Sequence, residues 1–357
     1  MSIFQPAIIL TATTIGAGMF GLPYVFYKSG FLIGLFYLFV FGILMIVIHY
    51  LYGEVILKSN ENSLLEIIQK KLNPKFYFLA FLSIVVGLIF TLLVYLILSG
   101  QFLNIIFPNI SFNLAVFIFW VFASVSLIFE KFLNRFEVLG TIFMAFIILF
   151  IFIQSGANFS IKNISAYNLE SLFLPFGVVL FSLAGWTAVL PMLKYNNYKN
   201  NLKSFILGTA LVVLLYLLFI FGILNSTQNI TPDALSGLNW PYFKLALIAF
   251  LGLFAIWTSY LPIGLEIKKS FEKHLPLWLN ILIVIFAPIV LFILGFQSFL
   301  KAISLAGGVF LALQYLFILI LERKLLDLHP TFKILIRILE IIFILACIYE
   351  IYFNVLK

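Results

Sequence analysis

Apolar residues run through this chain in solid blocks, not in one-sided stripes. Eleven blocks stand out, at about 4–27, 31–57, 76–98, 112–129, 136–155, 172–193, 203–224, 240–265, 277–296, 300–321 and 333–354. Each is long enough to cross a hydrocarbon layer as a helix, and a helix apolar all round has no soluble face. The polar residues fall into short intervals between the blocks. The fourth and fifth blocks are parted only by the charged turn Glu130-Lys131-Phe-Leu-Asn-Arg135. Between the second and third, Asn62 to Lys71 changes rhythm. There Ser63 and Glu66 form a capping box, while Leu64, Leu65, Ile67 and Ile68 give one apolar face. That pattern predicts a short amphipathic helix lying on the membrane surface.

Two blocks contain residues that do not suit a helix. The first begins as a good apolar helix at Ile8, then crowds Gly16, Gly18 and Gly21 together and adds Pro23. Glycine in a helix interior costs about 1 kcal/mol relative to alanine, and proline removes a donor. The sixth repeats the anomaly, with Ser182, Ala184, Gly185 and Thr187 followed by Pro191. Inside a bilayer, irregular backbone survives only where protein buries it or a wet cavity touches it. Corresponding broken helices in two halves of a chain mark the binding site of a secondary transporter. Five blocks run from the first break and five from the second, so the second set enters the membrane inverted. The expected organisation is one transmembrane domain over 1–357: a first repeat at about 4–155, a second at about 172–321, and an extra helix at about 333–354.

Composition and charge sharpen this reading. The 357 residues are 64% hydrophobic and 10% charged, with a mean hydropathy of +1.20, which excludes a soluble domain. The net charge of +8 does not indicate nucleic acid, because the basic residues sit in the intervals between blocks. Sixteen of the 21 lysines and arginines fall on one side of the predicted topology, among them Lys58, Lys70, Lys71, Lys131, Lys268, Lys269, Lys273, Arg323 and Lys324. The other side has Lys28, Lys162, Lys244, Lys301 and Lys357. The positive-inside rule therefore places the N-terminus in the cytoplasm. Asn-x-Ser/Thr triplets begin at Asn109, Asn158, Asn163, Asn225 and Asn229, all on the predicted outside. Cys347 is the single cysteine, which excludes an intrachain disulfide and a cysteine-built metal site. Three scattered histidines, His49, His274 and His329, do not assemble an intramembrane catalytic centre, so an enzyme is not expected. Among the carboxylates within blocks, Glu54 is placed to act at an inner gate or to reach the interface, and Glu340 and Glu350 to meet partners or the interface.

The run Ile15-Gly-Ala-Gly-Met-Phe-Gly-Leu-Pro-Tyr-Val-Phe-Tyr-Lys-Ser-Gly30 closely resembles the first-helix signature of the amino acid/auxin permease family. Thr13 to Met19 is nearly as similar to the aromatic amino acid permeases. Phe181-Ser-Leu-Ala-Gly-Trp-Thr-Ala-Val-Leu-Pro191 resembles the sixth-helix motif of the same group. Tyr95 to Gly100 and Trp257 to Gly264 resemble the third and eighth helices more loosely. The resemblance implies the all-α LeuT-type fold, a five-plus-five inverted repeat with broken helices 1 and 6 and alternating access, and an amino acid as solute. The chain departs from the family pattern in having no histidine or glutamine near Trp186 and Thr187. It also lacks the long N-terminal tail of the animal members, which points to a prokaryotic cytoplasmic membrane.

The resemblance places the substrate between the two breaks. Backbone donors at Ile15, Gly16, Ala17, Gly18 and Met19 would meet the carboxylate, favoured there by the helix dipole. Carbonyls near Phe181, Ser182 and Ala184 would accept from the ammonium. Tyr95 adds a hydroxyl or packs at a helix interface. Gly185 leads into Trp186, which stacks on substrate, narrows the pocket or fills bundle space. In this fold a sodium site joins a hydroxyl pair on the eighth helix to first-helix carbonyls; here that is Ala12, Ile15, Ala255, Thr258 and Ser259. Between Phe136 and Ser155 no lysine replaces the sodium, although His49 or Glu54 leaves a proton as the other coupling ion. Besides a transporter, the same site would serve an amino acid sensor without net transport. Neither reading requires a resident cofactor, and the partners expected are an amino acid and the lipid bilayer.

Overall fold

Each of the eleven apolar blocks is helical in the computed structural model, which describes residues 3–61, 63–128, 136–156, 165–271 and 275–356. The charged turn Glu130–Arg135, Asn158, Lys162, Asn163, Lys273, His274 and Lys357 lie outside the described residues. The first block is α1 (Phe4–Thr14), a 3₁₀ turn (Ala17–Gly21) and α2 (Leu22–Ser29). Then come α3 (Phe31–Ser59), the surface helix α4 (Leu64–Lys71), α5 (Pro74–Ile106), α6 (Phe112–Ile128) and α7 (Phe136–Gln154). The sixth block is α8 (Pro175–Ser182) with α9 (Trp186–Tyr195), followed by α10 (Leu202–Ser226), α11 (Tyr242–Phe271) and α12 (Leu277–Ile293). The tenth is α13 (Phe299–Leu305), a π-helical turn (Ala306–Leu311) and α14 (Ala312–Leu325); α15 (Pro330–Ile351) closes the series. Among the described residues, six helical segments are long and apolar enough to cross a membrane. The bent pair Phe4–Thr14 and Ala17–Ser29, with 57° between its halves, makes a seventh.

Local chemistry sets where these helices begin. Asn73 accepts from the Lys75 amide ahead of Pro74, and Asn201 does the same for Lys203, which satisfies first-turn donors that have no partner inside the helix. Ser63 accepts from the Glu66 amide at 3.2 Å, as the capping-box pattern predicts for α4. The prolines act differently from expectation. Pro23 sits in the first turn of α2, where a missing N–H is harmless and the fixed φ favours a helix, so it starts the second half of the block. Pro191 lies inside α9 and does not close the sixth block. The backbone opens earlier, at Leu183 to Gly185, where the small residues are.

Helix α5 packs along α11, while α1 packs mainly on α10 and α9. The centre is aromatic: Phe20 meets Phe102 and Phe219 edge-on at 5.0 and 5.5 Å. Outward-facing Phe36, Ile43, Phe117 and Ile293 are well exposed, as lipid contact requires. Gly30, at φ +93°, turns α2 into α3 against the Tyr167 backbone, a conformation that a Cβ would strain. The adjoining strand of loop is held there by Phe31 and Leu32 amides donating to the Ser165 and Ala166 carbonyls.

Candidate functional site

The two breaks face each other in the middle of the bundle. Helix α1 ends when the Ile15 amide donates to Thr11 O; Ile15 and Gly16 are then extended, and the 3₁₀ turn starts at Ala17. The first amides of a helical turn have no internal acceptor, so Ala17 and Gly18 present donors that have no partner among the described residues. Gly18 lies directly against the sixth block: a methyl placed there would be 2.7 Å from Ser182 Oγ and 2.9 Å from Ser182 Cα. Phe181 Cδ1 borders the same spot at 3.0 Å. Gly16 is roomier, since its methyl would meet only Tyr95 Oη, at 3.6 Å.

The sequence reading did not single out Tyr216 of α10, which ties the breaks together. Its hydroxyl lies 2.9 Å from Thr14 O and 2.8 Å from Ser182 O, the last carbonyls of α1 and α8. The Gly16 amide is directed at the same oxygen. A hydroxyl has one proton and two lone pairs, so this single group shares its proton between the end carbonyls of α1 and α8 and accepts from the amide just past the first break. At the sixth break the Phe181 carbonyl accepts from the Ala184 amide at 3.4 Å. The carbonyls of Leu183 and Ala184 carry no donor among the described residues.

The second half of the sixth block is held by α14. Tyr315 Oη accepts from the Gly185 amide at 3.3 Å and bonds His49 Nε2 at 2.9 Å. Trp186 donates its indole N–H to Gln314 Oε1 at 3.0 Å, and Gln314 in turn donates to Ser83 O. The Trp186 ring stands edge-on to Tyr52, so the structure directs it toward α14 and α3. Gly185 is enclosed by Leu10, Thr14 and His49. Glu54 accepts from Asn200 at 2.8 Å. Glu322, another residue the sequence reading passed over, is fully buried on α14, with neither carboxylate oxygen partnered among the described residues.

The candidate ion residues form a separate group. Thr258 Oγ1 and Ser259 Oγ both donate to Ala255 O, at 2.9 and 3.0 Å. Thr258 packs against Gly140 of the fifth block. Ala12 lies in α1 and Ile15 just past its end, and neither takes part in the hydrogen bonds of that hydroxyl pair. A polar recess of about 1210 Å³ opens beside Tyr27 and the loop after α10, including Asn225, Thr227 and Asn239.

The whole architecture recurs in solved transporters. MhsT in complex with L-phenylalanine superposes with a TM-score of 0.65 at 14% identity, covering 99% of this chain and 98% of that one. An Eremococcus coleocola manganese transporter gives 0.64 at 15% identity, over 98% of this chain and 86% of its own. Mhp1, a nucleobase-cation-symport-1 family transporter in a closed conformation with bromovinylhydantoin bound, gives 0.59 at 11%, over 99% and 91%. These likenesses establish the LeuT-type fold. No curated protein sequence matches the chain. The profile of one family, however, matches residues 1–352. Of the two resemblances read from the first helix, it is the aromatic one that extends over the chain, which belongs to the tryptophan/tyrosine permease family.

Proposed function

We propose that this amino acid permease carries an aromatic or other neutral amino acid through the gap between its two breaks. The observation that carries the reading is the pairing of free amides at Ala17 and Gly18 with free carbonyls at Leu183 and Ala184. A zwitterion needs an anion site and a cation site a few ångströms apart, and helix ends supply both without a buried charge. Tyr95 adds a hydroxyl beside Gly16. The binding of phenylalanine by MhsT supports an aromatic solute on the same fold.

The coupling ion in this proposal is sodium, carried as a co-substrate. Ala255 O, Thr258 Oγ1 and Ser259 Oγ already cluster within 3.0 Å contacts, and hard oxygens of this kind suit a hard cation. Carbonyls near Ala12 and Ile15 would complete the set as α1 approaches α11. The test is uptake of labelled tryptophan, tyrosine and phenylalanine into proteoliposomes, with a sodium gradient at fixed pH and with a proton gradient in its absence. Sodium-driven accumulation abolished by Thr258→Ala is the expected result. Proton-driven accumulation untouched by Thr258→Ala and Ser259→Ala would overturn the sodium assignment. Binding without any flux would favour the sensor instead.

A further inference from the structure

The eleventh helix carries a carboxylate into the packing of the sixth. Glu350 of α15 is 3% exposed, although it is one residue from the end of that helix. Its side chain fills a niche between α8 and the π turn. A methyl at Gly177 would lie 2.9 Å from Glu350 Oε1, and a methyl at Gly308 would lie 2.8 Å from the same atom. The Gly177 amide is directed at the carboxylate, and Asn354 Nδ2 donates to Oε2 at 2.6 Å. Gly177 is the third residue of α8, so its N–H is one of the donors a helix leaves without an internal acceptor.

Among the described residues, all the groups facing Glu350 are uncharged. Its own helix presents Cys347 and Tyr349; α3 presents Tyr37. The α8 side contributes the Gly177 amide, with Ser304 of α13 bordering the same glycine. The π turn offers glycines, and α14 turns Tyr315 toward Phe343, two turns away along α15. Lys301 of α13 is exposed, and no cation pairs with Glu350 among the described residues. A carboxylate enclosed by neutral partners inside a membrane loses most of its hydration, so its hold depends on the hydrogen bonds it makes. Ionised, it is held by the Gly177 amide and the positive end of α8. The ionised and acid forms differ by one proton.

We propose that Glu350 is a proton-binding site whose occupancy sets how firmly the extra helix holds the first half of the broken sixth span. The ionised form clamps the start of α8; the acid form loosens it. The other end of α8 carries Phe181 and Ser182 into the site, across a rod of eight residues about 12 Å long. Proton occupancy at Glu350 therefore changes amino acid affinity without any contact with the solute. The effect on affinity rests on the transport site proposed above; the proton site itself does not.

Infrared difference spectra of the full-length protein in lipid discs, recorded across the neutral pH range, test it. A protonated-carboxyl band should appear as pH falls, be absent from Glu350→Gln, and move in frequency in Glu350→Asp, which keeps an acid but withdraws it from Gly177. Affinity for labelled tryptophan or tyrosine should change by about two- to thirtyfold over the same range, the span of charge–dipole energies, and become pH-independent in Glu350→Gln. A band unchanged in Glu350→Gln, no such band in the wild type, or identical pH profiles for both proteins would overturn the proposal. If the wild type binds no amino acid, the transport reading fails while the carboxyl band still decides the proton site.

Discussion

Replacing Gly18 by alanine tests whether the two breaks touch through bare backbone. The added methyl would sit 2.9 Å from Ser182 Cα and 2.7 Å from Ser182 Oγ, where ordinary carbon contacts begin near 3.5 Å. Ser182 Oγ is fixed by its bond to Val178 O at 2.7 Å, so the side chain cannot simply rotate away. The backbones of the 3₁₀ turn and α8 must separate by roughly half an ångström, and overpacking of this kind costs about 1–3 kcal/mol. If the strain falls on the occupied state, affinity drops about five- to 150-fold. Gly16→Ala is the matched comparison. Its methyl meets only Tyr95 Oη at 3.6 Å, and an extended φ of −150° suits alanine. It should leave the melting temperature unchanged and lower affinity only by narrowing the space beside Tyr95. Equilibrium binding of labelled tryptophan, alongside melting curves in detergent, reads both variants. A Gly18→Ala protein that melts and binds like wild type would refute the direct backbone contact.

Tyr216→Phe removes one oxygen and leaves Thr14 O and Ser182 O without their donor; stability should fall by about 1–3 kcal/mol, with a lower melting temperature as the readout. Trp186→Phe keeps a ring against Tyr52 but strands Gln314 Oε1, so it should destabilise by about 1–3 kcal/mol as well; its substrate profile, measured by competition, shows whether the indole also touches solute. For topology, Thr231→Cys should react with an impermeant thiol reagent added to intact cells and Lys71→Cys should not. The one native cysteine, Cys347, is buried and gives no background. Reaction of the Lys71→Cys protein alone from outside would reverse the orientation.

The helices were legible because each is a whole block of apolar residues, and a block needs no knowledge of which face meets which neighbour. The breaks were legible for the opposite reason: glycines are costly in a helix, so their clustering at 16, 18 and 21 and at 185 required an explanation. What the prolines do was misread, since proline disrupts an interior but initiates a first turn, and only the true start of α2 distinguishes the cases. Tyr216, Gln314 and Tyr315 escaped notice because each is a single polar residue inside an apolar block. Their importance lies in which way they point, and that depends on neighbours from α1, α8 and α9. Glu322 was missed at the edge of a block whose helix runs on to Leu325. Glu350 was visible as an intramembrane acid; its niche, built from Gly177 and Gly308, was not.

The π turn at Ala306–Leu311 has a consequence for angular phase. A wide turn accommodates one more residue than an α-helical turn, and one residue corresponds to about 100° of rotation about the axis. Everything after it on α14 is therefore set at an angle that a regular helix of the same sequence would not reach. Gln314 and Tyr315 follow within four residues, and their bonds to Trp186 and the Gly185 amide depend on that setting. If the same residues were wound as a regular helix, both side chains would swing about a quarter turn off their partners, with no change in their identity; deleting one residue from the turn as well would bring them back. A relative one residue shorter across 306–311 could thus wind a regular helix there and still hold its sixth helix by the same side chains, whereas one of equal length needs the wide turn to do so.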